Sequence, residues 1–347
     1  MKYLMLFTLG MTTIVFTQCK KSDLPAISGN NHKVFVVGTI ANSAGFGVAT
    51  LWVDGTPQNL TDGAHDALLY DVTVSGNDVY ATGYEINAAG NEVAKVWKNG
   101  VAQNLTDGIS DHYSSGERIA VSNGKVYVLG YVGFPYAATL WIDGVKQTIT
   151  LPEHDPFTTK SMGLAVLNSN IYVCGYETDP VSGLKTASLR VNGSKIPITT
   201  TALATSAADN ISINGSDIYI SGSETAGLSS TAKIWKNGSA VGIADPANYF
   251  NKIFVSGSNI YGVGITGVSP NWRIGLWTNG TKQFITDGTK PAYADGLYVS
   301  GNDVYIIGTE KSNTGNYIVK LWKNGIAQNL SDSSSSHVEV SSVFINE

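Results

Sequence analysis

A short unit recurs seven times along this chain and constrains the fold more than any other feature. Each copy carries an aromatic residue followed three positions later by a glycine. The seven pairs are Phe35/Gly38, Tyr80/Gly83, Tyr127/Gly130, Tyr172/Gly175, Tyr219/Gly222, Tyr261/Gly264 and Tyr305/Gly308. Successive aromatic residues lie 42 to 47 residues apart, so residues 33–347 divide into seven units. A fixed period of this size indicates a repeat architecture, in which each unit is one supersecondary structure.

A second signature follows each pair: an apolar residue, a tryptophan, one variable residue, Asn or Asp, and glycine. The fourth copy, residues 189–193, has Arg190 in place of the tryptophan. Asn-Gly and Asp-Gly pairs between two strands favour the primed turns that close antiparallel hairpins. The tryptophans share one strand position, and we expect them to pack between units rather than to bind a ligand. They are Trp52, Trp97, Trp141, Trp235, Trp277 and Trp322.

Each unit contains four strand-like runs, which in the second unit are residues 71–74, 79–82, 94–97 and 101–105. Four antiparallel strands repeated seven times at this period predict an all-β fold, a seven-bladed β-propeller of four-stranded antiparallel blades. A solenoid fits less well, because no segment has helical periodicity and no terminal repeat resembles a polar cap.

The two ends of the chain predict how the ring closes. Residues 34–38 align with the second strand of a unit, and residues 342–345 align with the first strand. We therefore expect the N- and C-terminal strands to pair in one blade. Such pairing covers two strand edges that would otherwise favour aggregation.

Three motifs carry a resemblance to a known family: Tyr-x-x-Gly, Ala-Lys-x-Trp-Lys-Asn-Gly at residues 94–100, and Asn-Leu-Thr-Asp-Gly at residues 59–63 and 104–108. They resemble the repeats of a bacterial family of lipid-anchored seven-bladed β-propellers whose function is unassigned. The resemblance covers nearly all of residues 33–347 and implies the fold. It differs from WD40 and kelch repeats, and it transfers no catalytic residue.

The amino terminus predicts where in the cell the protein is located. In residues 1–18, Lys2 precedes an apolar run that has the length of a signal-peptide core and is too short to span a membrane. The following Cys19 resembles the lipidated cysteine of bacterial lipoproteins, although Phe16 and Gln18 depart from the usual Leu and small residue. Residues 19–32 are polar and would form a tether. An ordinary cleaved signal with an incidental cysteine is the alternative.

These features predict a lipoprotein of the bacterial cell envelope, in the outer membrane, held at the membrane by acyl chains. Nucleic acid is excluded as a partner, because the net charge of −5 provides no concentrated basic face. Beyond Cys19 the only cysteine is Cys174, which lies in the strand-like run 171–175. We interpret it as a core residue rather than a nucleophile, since no basic partner lies nearby in the sequence.

Loop lengths predict which face of the propeller carries a binding site. Within each unit the first-to-second and third-to-fourth connections are tight turns, whereas the other connections are longer and variable. Geometry places the long connections on one face of the disc, at the mouth of the central channel, and variable loops on a rigid scaffold commonly form binding sites.

Aromatic and charged residues on this face are the candidate ligand-binding residues. Aromatic side chains beside polar groups suit stacking on sugar rings or anchoring of a protein partner, although some could instead cover blade edges. Trp272 is the strongest candidate, because it is the one tryptophan outside the repeat motif. The candidates are Trp272, Phe134, Tyr136 and Tyr113 in the long loops, and Asp71, Arg118 and Lys252 in the first strands, where Asn210 and Asp295 also occur.

Four histidines suggest a metal site as an alternative. His65, His112, His154 and His337 lie in consecutive connections between units, and three of them adjoin an aspartate, a common partner of a metal-bound imidazole. Polar loops favour such residues in any case. Four carboxylates that follow second strands, Glu85, Glu177, Glu224 and Glu310, lie on separate units and are not expected to converge on a catalytic pair.

Taken together, the sequence predicts a monomeric, non-catalytic binding scaffold for a glycan or an envelope protein. It predicts no cofactor, with a divalent metal as the alternative. A glycan-active or metal-dependent enzyme that uses the histidine-bearing loops is the competing hypothesis, and a purely structural scaffold is a third.

Overall fold

The computed structural model describes residues 32–346 except 110–111, 135, 153–162, 199, 201–203, 228, 243–249 and 268. The described part of the chain contains 28 strands, four in each sequence unit. In chain order they are β1 Lys33–Ala41, β2 Gly47–Val53, β3 Thr56–Asn59, β4 Ala67–Ser75, β5 Asp78–Ile86, β6 Glu92–Lys98, β7 Val101–Asn104, β8 Ser114–Ser122, β9 Lys125–Val132, β10 Ala137–Ile142, β11 Val145–Lys146, β12 Gly163–Leu167, β13 Asn170–Thr178, β14 Lys185–Val191, β15 Ser194–Ile196, β16 Thr205–Asn214, β17 Asp217–Ala226, β18 Ser229–Lys236, β19 Ser239–Val241, β20 Lys252–Ser256, β21 Asn259–Thr266, β22 Arg273–Thr278, β23 Thr281–Phe284, β24 Ala292–Ser300, β25 Asp303–Lys311, β26 Tyr317–Lys323, β27 Ile326–Asn329 and β28 Val338–Asn346.

The strands form seven antiparallel sheets of four, which confirms the predicted seven-bladed propeller. Blades 2 to 7 use consecutive strands, from β4–β7 in blade 2 to β24–β27 in blade 7. Blade 1 has the order β28-β1-β2-β3, so the predicted pairing of the two ends is confirmed. The first strand of each blade contacts the first strands of both neighbouring blades, and these seven strands line a central channel.

Three sequence predictions fall on residues outside the described range. These are the signal peptide 1–18, Cys19 with the tether up to residue 31, and His154. Within the described residues, no helix has the length and apolar character needed to cross a membrane.

The repeat tryptophans pack between blades, as predicted. Each has at most 2% of its surface exposed. Each lies in a cluster with apolar side chains of the preceding blade: Trp97 with Val37 and Leu51, for example. The Trp52 indole also donates a hydrogen bond of 2.9 Å to the Leu330 carbonyl of blade 7. Burial of this large apolar side chain at six of the seven blade junctions stabilises the ring.

The repeat glycine is explained by an irregularity in the neighbouring first strand. In blade 2 the β4–β5 register shifts between Leu69 and Asp71, so that Tyr70 forms a β-bulge. A Cβ on Gly83 would then lie 1.8 Å from the Leu68 carbonyl oxygen. Blades 1, 3, 5 and 7 show equivalent bulges and equivalent contacts. Only glycine therefore fits opposite the bulge.

The two classes of connection lie on opposite faces of the disc. The tight third-to-fourth turns use Asn or Asp with φ near 50° followed by glycine near 80°, as in Asn99-Gly100, which is the type I′ geometry. On the other face the long loops touch each other: the Asn87 amide donates 2.9 Å to the Gly108 carbonyl, and Asn42 does the same to Gly63. The loop-rich face thus has a hydrogen-bonded framework.

Candidate functional site

The loop-rich end of the channel contains a cavity of about 330 Å³, a size at the lower end of ligand pockets. All five charged or amide residues predicted near the channel mouth line it. Their role in binding stays a prediction. The lining comprises Leu68, Tyr70, Asp71, Arg118, Asn210, Asn251, Lys252, Asp295, Thr309, Val338, Glu339, Val340 and Ser341.

The β-bulges determine which side chains reach this cavity. A regular strand would point alternate residues toward the channel, but the bulge in β4 lets both Tyr70 and Asp71 line it. The bulged residues Asp295 and Ser341 line the cavity as well. Sequence patterns did not predict Tyr70, Asn251 and Glu339 in the lining, and for Tyr70 the reason is that a bulge has no reliable local signature.

The Asp71 carboxylate is held by hydrogen bonds from three blades. Its Oδ1 accepts from the Ser342 hydroxyl at 2.6 Å and from its neighbour's amide, Val72 N, at 3.0 Å. Its Oδ2 accepts from the Ile119 amide of blade 3 at 3.1 Å. Asp71 therefore joins blades 1, 2 and 3 around the channel, and its lone pairs are largely occupied.

Lys252 enters the cavity from blade 6, roughly opposite Asp71 and Arg118. It forms no ion pair with any carboxylate in the described parts of the chain. Burial lowers the pKa of Lys252, the nearby Arg118 acts in the same direction, and Asp71 opposes them. An ammonium group in this position lacks a close counterion and is available to a ligand anion.

The neighbouring Asn251 has a fixed orientation and an unused acceptor. Its side-chain amide nitrogen donates to the Ala294 carbonyl, and its backbone carbonyl accepts from Asn210 at 3.0 Å. Asn251 is 4% exposed, and among the described residues nothing donates to its Oδ1. A buried amide oxygen without a donor is energetically costly unless a ligand or water satisfies it.

Three of the four predicted aromatic candidates come together on blade 3. The rings of Tyr113 and Phe134 lie 6.0 and 5.5 Å from the ring of Tyr136, both in edge-to-face arrangements. Phe134 is 75% exposed and Tyr113 is 46% exposed. The buried Tyr131 supports the group from below, at 5.1 Å from Tyr136. Exposed rings held by other rings form a rigid surface.

Further tyrosines connect this group to the channel. The ring centroids of Tyr84 and Tyr70 are 6.2 Å apart, and Tyr70 lines the cavity. Tyr84 is also close enough to Tyr131 to raise the pKa of the Tyr131 hydroxyl. Burial raises the pKa of Tyr70, Tyr84 and Tyr131, so all three keep their hydroxyl protons at neutral pH. We call the continuous set the aromatic row: Tyr70, Tyr84, Tyr131, Tyr136, Tyr113 and Phe134.

Two carboxylates accompany the aromatic row. Burial raises the pKa of Glu92, and hydrogen bonds from Ser114 and Tyr131 only partly offset this effect. Glu117, at the bulge of β8, is 1% exposed and raises the pKa of Tyr70 and Tyr131. A signal for the row does exist in the sequence: the residue after the repeat glycine is tyrosine only in blades 2, 3 and 4, at Tyr84, Tyr131 and Tyr176.

Trp272, the strongest sequence candidate, lies apart from the row. It is partly buried on blade 6 and does not line the cavity. Its backbone carbonyl accepts a hydrogen bond from Ala292 at 3.0 Å. Another aromatic pair, Tyr293 and Tyr317, has a ring separation of 5.8 Å on blade 7.

The histidines show different environments. His112 Nδ1 forms a hydrogen bond of 2.7 Å with Asn91 Oδ1, and His337 Nε2 lies 3.7 Å from Glu339 Oε1. Within the described residues, no group of three or more His, Cys, Asp and Glu side chains is arranged to hold a metal ion. The hypothesis that includes His65 and His154 stays a prediction, since His154 lies outside the described range.

The second-strand carboxylates do not converge, as expected. Each forms an ion pair with a basic residue of its own blade. Glu85 pairs with Lys95, Glu310 with Lys320, Glu224 with Lys233 at 2.9 Å, and Glu177 with Arg190 at 2.8 Å and Lys195 at 2.6 Å. Cys174 is fully buried, and burial raises the pKa of its thiol, in agreement with its interpretation as a core residue.

No family model matches the sequence, and no curated protein sequence matches it. Several solved structures share the fold. The β-propeller domain of the trilobed protease from Pyrococcus furiosus is 12% identical with a TM-score of 0.54, over 88% of this chain and 94% of that chain. That domain is described as having an open velcro topology, whereas here β28 and β1 pair within one blade.

Two peptidases are also similar. The acylaminoacyl peptidase of Pyrococcus horikoshii is 14% identical with a TM-score of 0.56, over 88% of this chain and 51% of that chain. A puromycin-hydrolyzing peptidase of Mycobacterium tuberculosis is 9% identical with a TM-score of 0.56, over 89% and 52%. This chain thus spans about half the length of each peptidase. At these identities the likeness concerns the fold alone.

Proposed function

We propose that this protein is a lipid-anchored, non-catalytic scaffold of the bacterial cell envelope that binds a glycan through its loop-rich face. The aromatic row is the observation that carries the proposal. It presents exposed rings at one end, protonated tyrosine hydroxyls along its length, and a cavity lined by amides and charges at the other end. Sugars are recognised by this combination, because their C–H faces stack on rings and their hydroxyls need donors and acceptors.

The rigidity of the site supports a binding role. The aromatic row belongs to the neighbouring blades 2 and 3, and hydrogen bonds between loops and across the channel hold this part of the molecule before any ligand arrives. A preorganised site loses little conformational entropy when it binds. The closed ring of seven blades adds to this rigidity, since it fixes the distance between the aromatic row and Lys252.

The anchor is supported by the sequence around Cys19. We expect Cys19→Ser to move the protein from the membrane fraction to the soluble fraction and to abolish labelling by radioactive palmitate. Cys174→Ser is the matched control, because the other cysteine is buried in the core and should not accept a lipid. Labelling that persists in Cys19→Ser would contradict the proposed anchor.

The glycan test compares the parent chain with Phe134→Ala/Tyr136→Ala on an array of envelope and capsular polysaccharides. We expect the double variant to lose about 100-fold in affinity, since each stacked ring contributes on the order of a factor of ten. Trp272→Ala tests the other candidate position in parallel. Ile326→Ala removes a 77% exposed side chain beside a tight turn on the opposite face and should bind like the parent.

Three outcomes would contradict the proposal. Equal binding by the double variant and the parent would exclude the aromatic row as the binding surface. Release of new reducing ends during incubation would show that the protein cleaves its ligand and is an enzyme. If the parent chain captures an envelope protein and no glycan, and the double variant does not, the partner is a protein.

A further inference from the structure

The channel cavity contains charges that a neutral sugar would not use. Lys252 and Arg118 both line it, and they lie close enough for Arg118 to affect the ionisation of Lys252. Asp71 is the opposite charge that acts on Lys252, but its oxygens already accept hydrogen bonds from Ser342, Val72 and Ile119. Lys252 is therefore the cation in this cavity that most needs an anion from outside the protein.

The shape of the channel leaves room for that anion. Lys252 occupies the first-strand position opposite the residue that precedes the repeat glycine. The equivalent positions in blades 4 and 7 are Gly163 and Gly296, which have no side chain, and the described residues of blade 7 contribute Asp295 and Thr309 to the lining instead. The cavity of about 330 Å³ can hold one small ring next to the ammonium group.

The rest of the lining argues against a bare polyanion. Asp295 and Glu339 contribute negative charge on other sides of the cavity, and the Thr309 side chain adds a hydroxyl. Asn251 presents a buried Oδ1 that needs a donor. A sulfate or a doubly charged hydrogenphosphate would be repelled by the carboxylates, and sulfate has no proton to donate to Asn251. A ligand with one negative charge and several hydroxyl groups satisfies both requirements.

We propose that the channel mouth binds the carboxylated sugar residue of an acidic glycan, a hexuronic acid. Its carboxylate pairs with Lys252, with Arg118 as the second cation, and a ring hydroxyl donates to Asn251 Oδ1. This inference rests on the proposed function, since it names the class of glycan bound by the same face. The aromatic row would contact the neighbouring sugar residues of the chain.

The test uses a free monosaccharide, so that it does not depend on the aromatic row. Galacturonate, galactose and inorganic sulfate are titrated separately into the full chain in detergent at constant ionic strength, with binding followed by isothermal titration calorimetry. We expect galacturonate to bind at least about tenfold more tightly than galactose or sulfate, because a charge-assisted hydrogen bond in a partly buried site is among the stronger polar contacts.

Variants separate the charge from the fold. Lys252→Met should weaken galacturonate binding at least about tenfold, Lys252→Arg should retain most of it, and Ile326→Ala should leave it unchanged. Melting curves verify that each variant is folded. Equal binding of galacturonate and galactose, equal or tighter binding of sulfate, or unchanged galacturonate binding by Lys252→Met would each overturn the inference.

The two proposals can fail independently. If Phe134→Ala/Tyr136→Ala loses polysaccharide binding while galacturonate and galactose bind alike, the glycan function stands and the acidic specificity is wrong. If galacturonate binds through Lys252 but the aromatic variants behave like the parent on the array, the channel site stands and the aromatic row is not the glycan surface.

Discussion

The repeat glycine shows how one residue encodes a non-local feature. Gly83, Gly130, Gly222 and Gly308 each lie opposite a bulge whose carbonyl oxygen occupies the space of a side chain, at 1.8 to 1.9 Å from an ideal Cβ. None of these four has a positive φ, so the requirement is close approach rather than backbone conformation. The same bulges turn functional candidates such as Tyr70 into the channel. The glycine therefore permits the bulge, and the bulge in turn orients side chains of the proposed binding surface.

Gly222→Ala is expected to destabilise the protein by about 3 kcal/mol or more, because the added methyl group meets the Ala207 backbone at 1.9 Å and the bulge must shift. The free energy of unfolding is measured by denaturant titration. Gly242→Ala in the same blade is the matched control: its Cβ would have no neighbour within 4 Å, and we expect a change within about 0.5 kcal/mol. Similar values for the two variants would exclude the steric explanation.

At the scale of a strand, four of the seven blades have a glutamate near the end of the second strand, and a basic residue of the same blade neutralises it. In blades 2, 5 and 7 a lysine two positions before the repeat tryptophan does so. Blade 4 has Ser188 at that position, and Arg190 replaces the tryptophan and bonds to Glu177 at 2.8 Å. The one unit without a repeat tryptophan is thus the one in which that position supplies the missing charge.

In β18, Lys233 and Lys236 form ion pairs of different burial, and their variants should differ accordingly. Lys233 pairs with Glu224, whose side chain is 7% exposed, so Lys233→Met leaves a buried carboxylate without its cation. We expect a loss of about 2 kcal/mol in the free energy of unfolding. Lys236 pairs with the more exposed Asp217, and Lys236→Met should lower the free energy of unfolding clearly less than Lys233→Met, because solvent screens this pair. Chemical denaturation measures the free energy of unfolding of both variants, and equal losses would contradict this ranking.

At the scale of the whole molecule, a single blade made from both ends of the chain holds the ring shut. Strand β28 pairs with β1 from Lys33↔Asn346 to Ile40↔Val338, and its side chains Val340, Val343 and Ile345 join the cluster around Trp52. Separation of this strand would open one core cluster and one side of the channel. We expect global unfolding to begin at this junction, since no covalent connection crosses it.

A disulfide across the junction should therefore raise the melting temperature. Lys33 and Asn346 are facing residues at the end of the antiparallel pair, within the Cα separation that a disulfide requires. In a Cys19→Ser background, we expect oxidised Lys33→Cys/Asn346→Cys to melt at least about 5 °C above its reduced form, because the crosslink closes a very long loop. The reduced form should melt like the parent. Identical melting of the two forms, after the crosslink is verified by mass spectrometry, would place the weakest junction elsewhere.

Part of the site was predictable from local pattern. Asp71, Arg118 and Lys252 stand at one position of the repeat, so their common placement around the channel follows from the period. The grouping of Tyr113, Phe134 and Tyr136 follows from their loops on one blade. The role of Trp272 was harder to judge, because its uniqueness in the sequence says nothing about whether it faces the cavity.

The seven units, the four strands of each, the buried tryptophans and the joining of the two ends were all determined by the sequence itself. They depend on periodicity and on turn residues, which act between neighbours along the chain. The tertiary structure alone decided that Asp71 accepts several hydrogen bonds whereas Lys252 and the Asn251 oxygen have no partner among the described residues. It also decided that tyrosines of blades 2 and 3 form one row. Those outcomes depend on bulges that shift strand register and on distances across a closed channel, where residues far apart in sequence compete for the same hydrogen bonds.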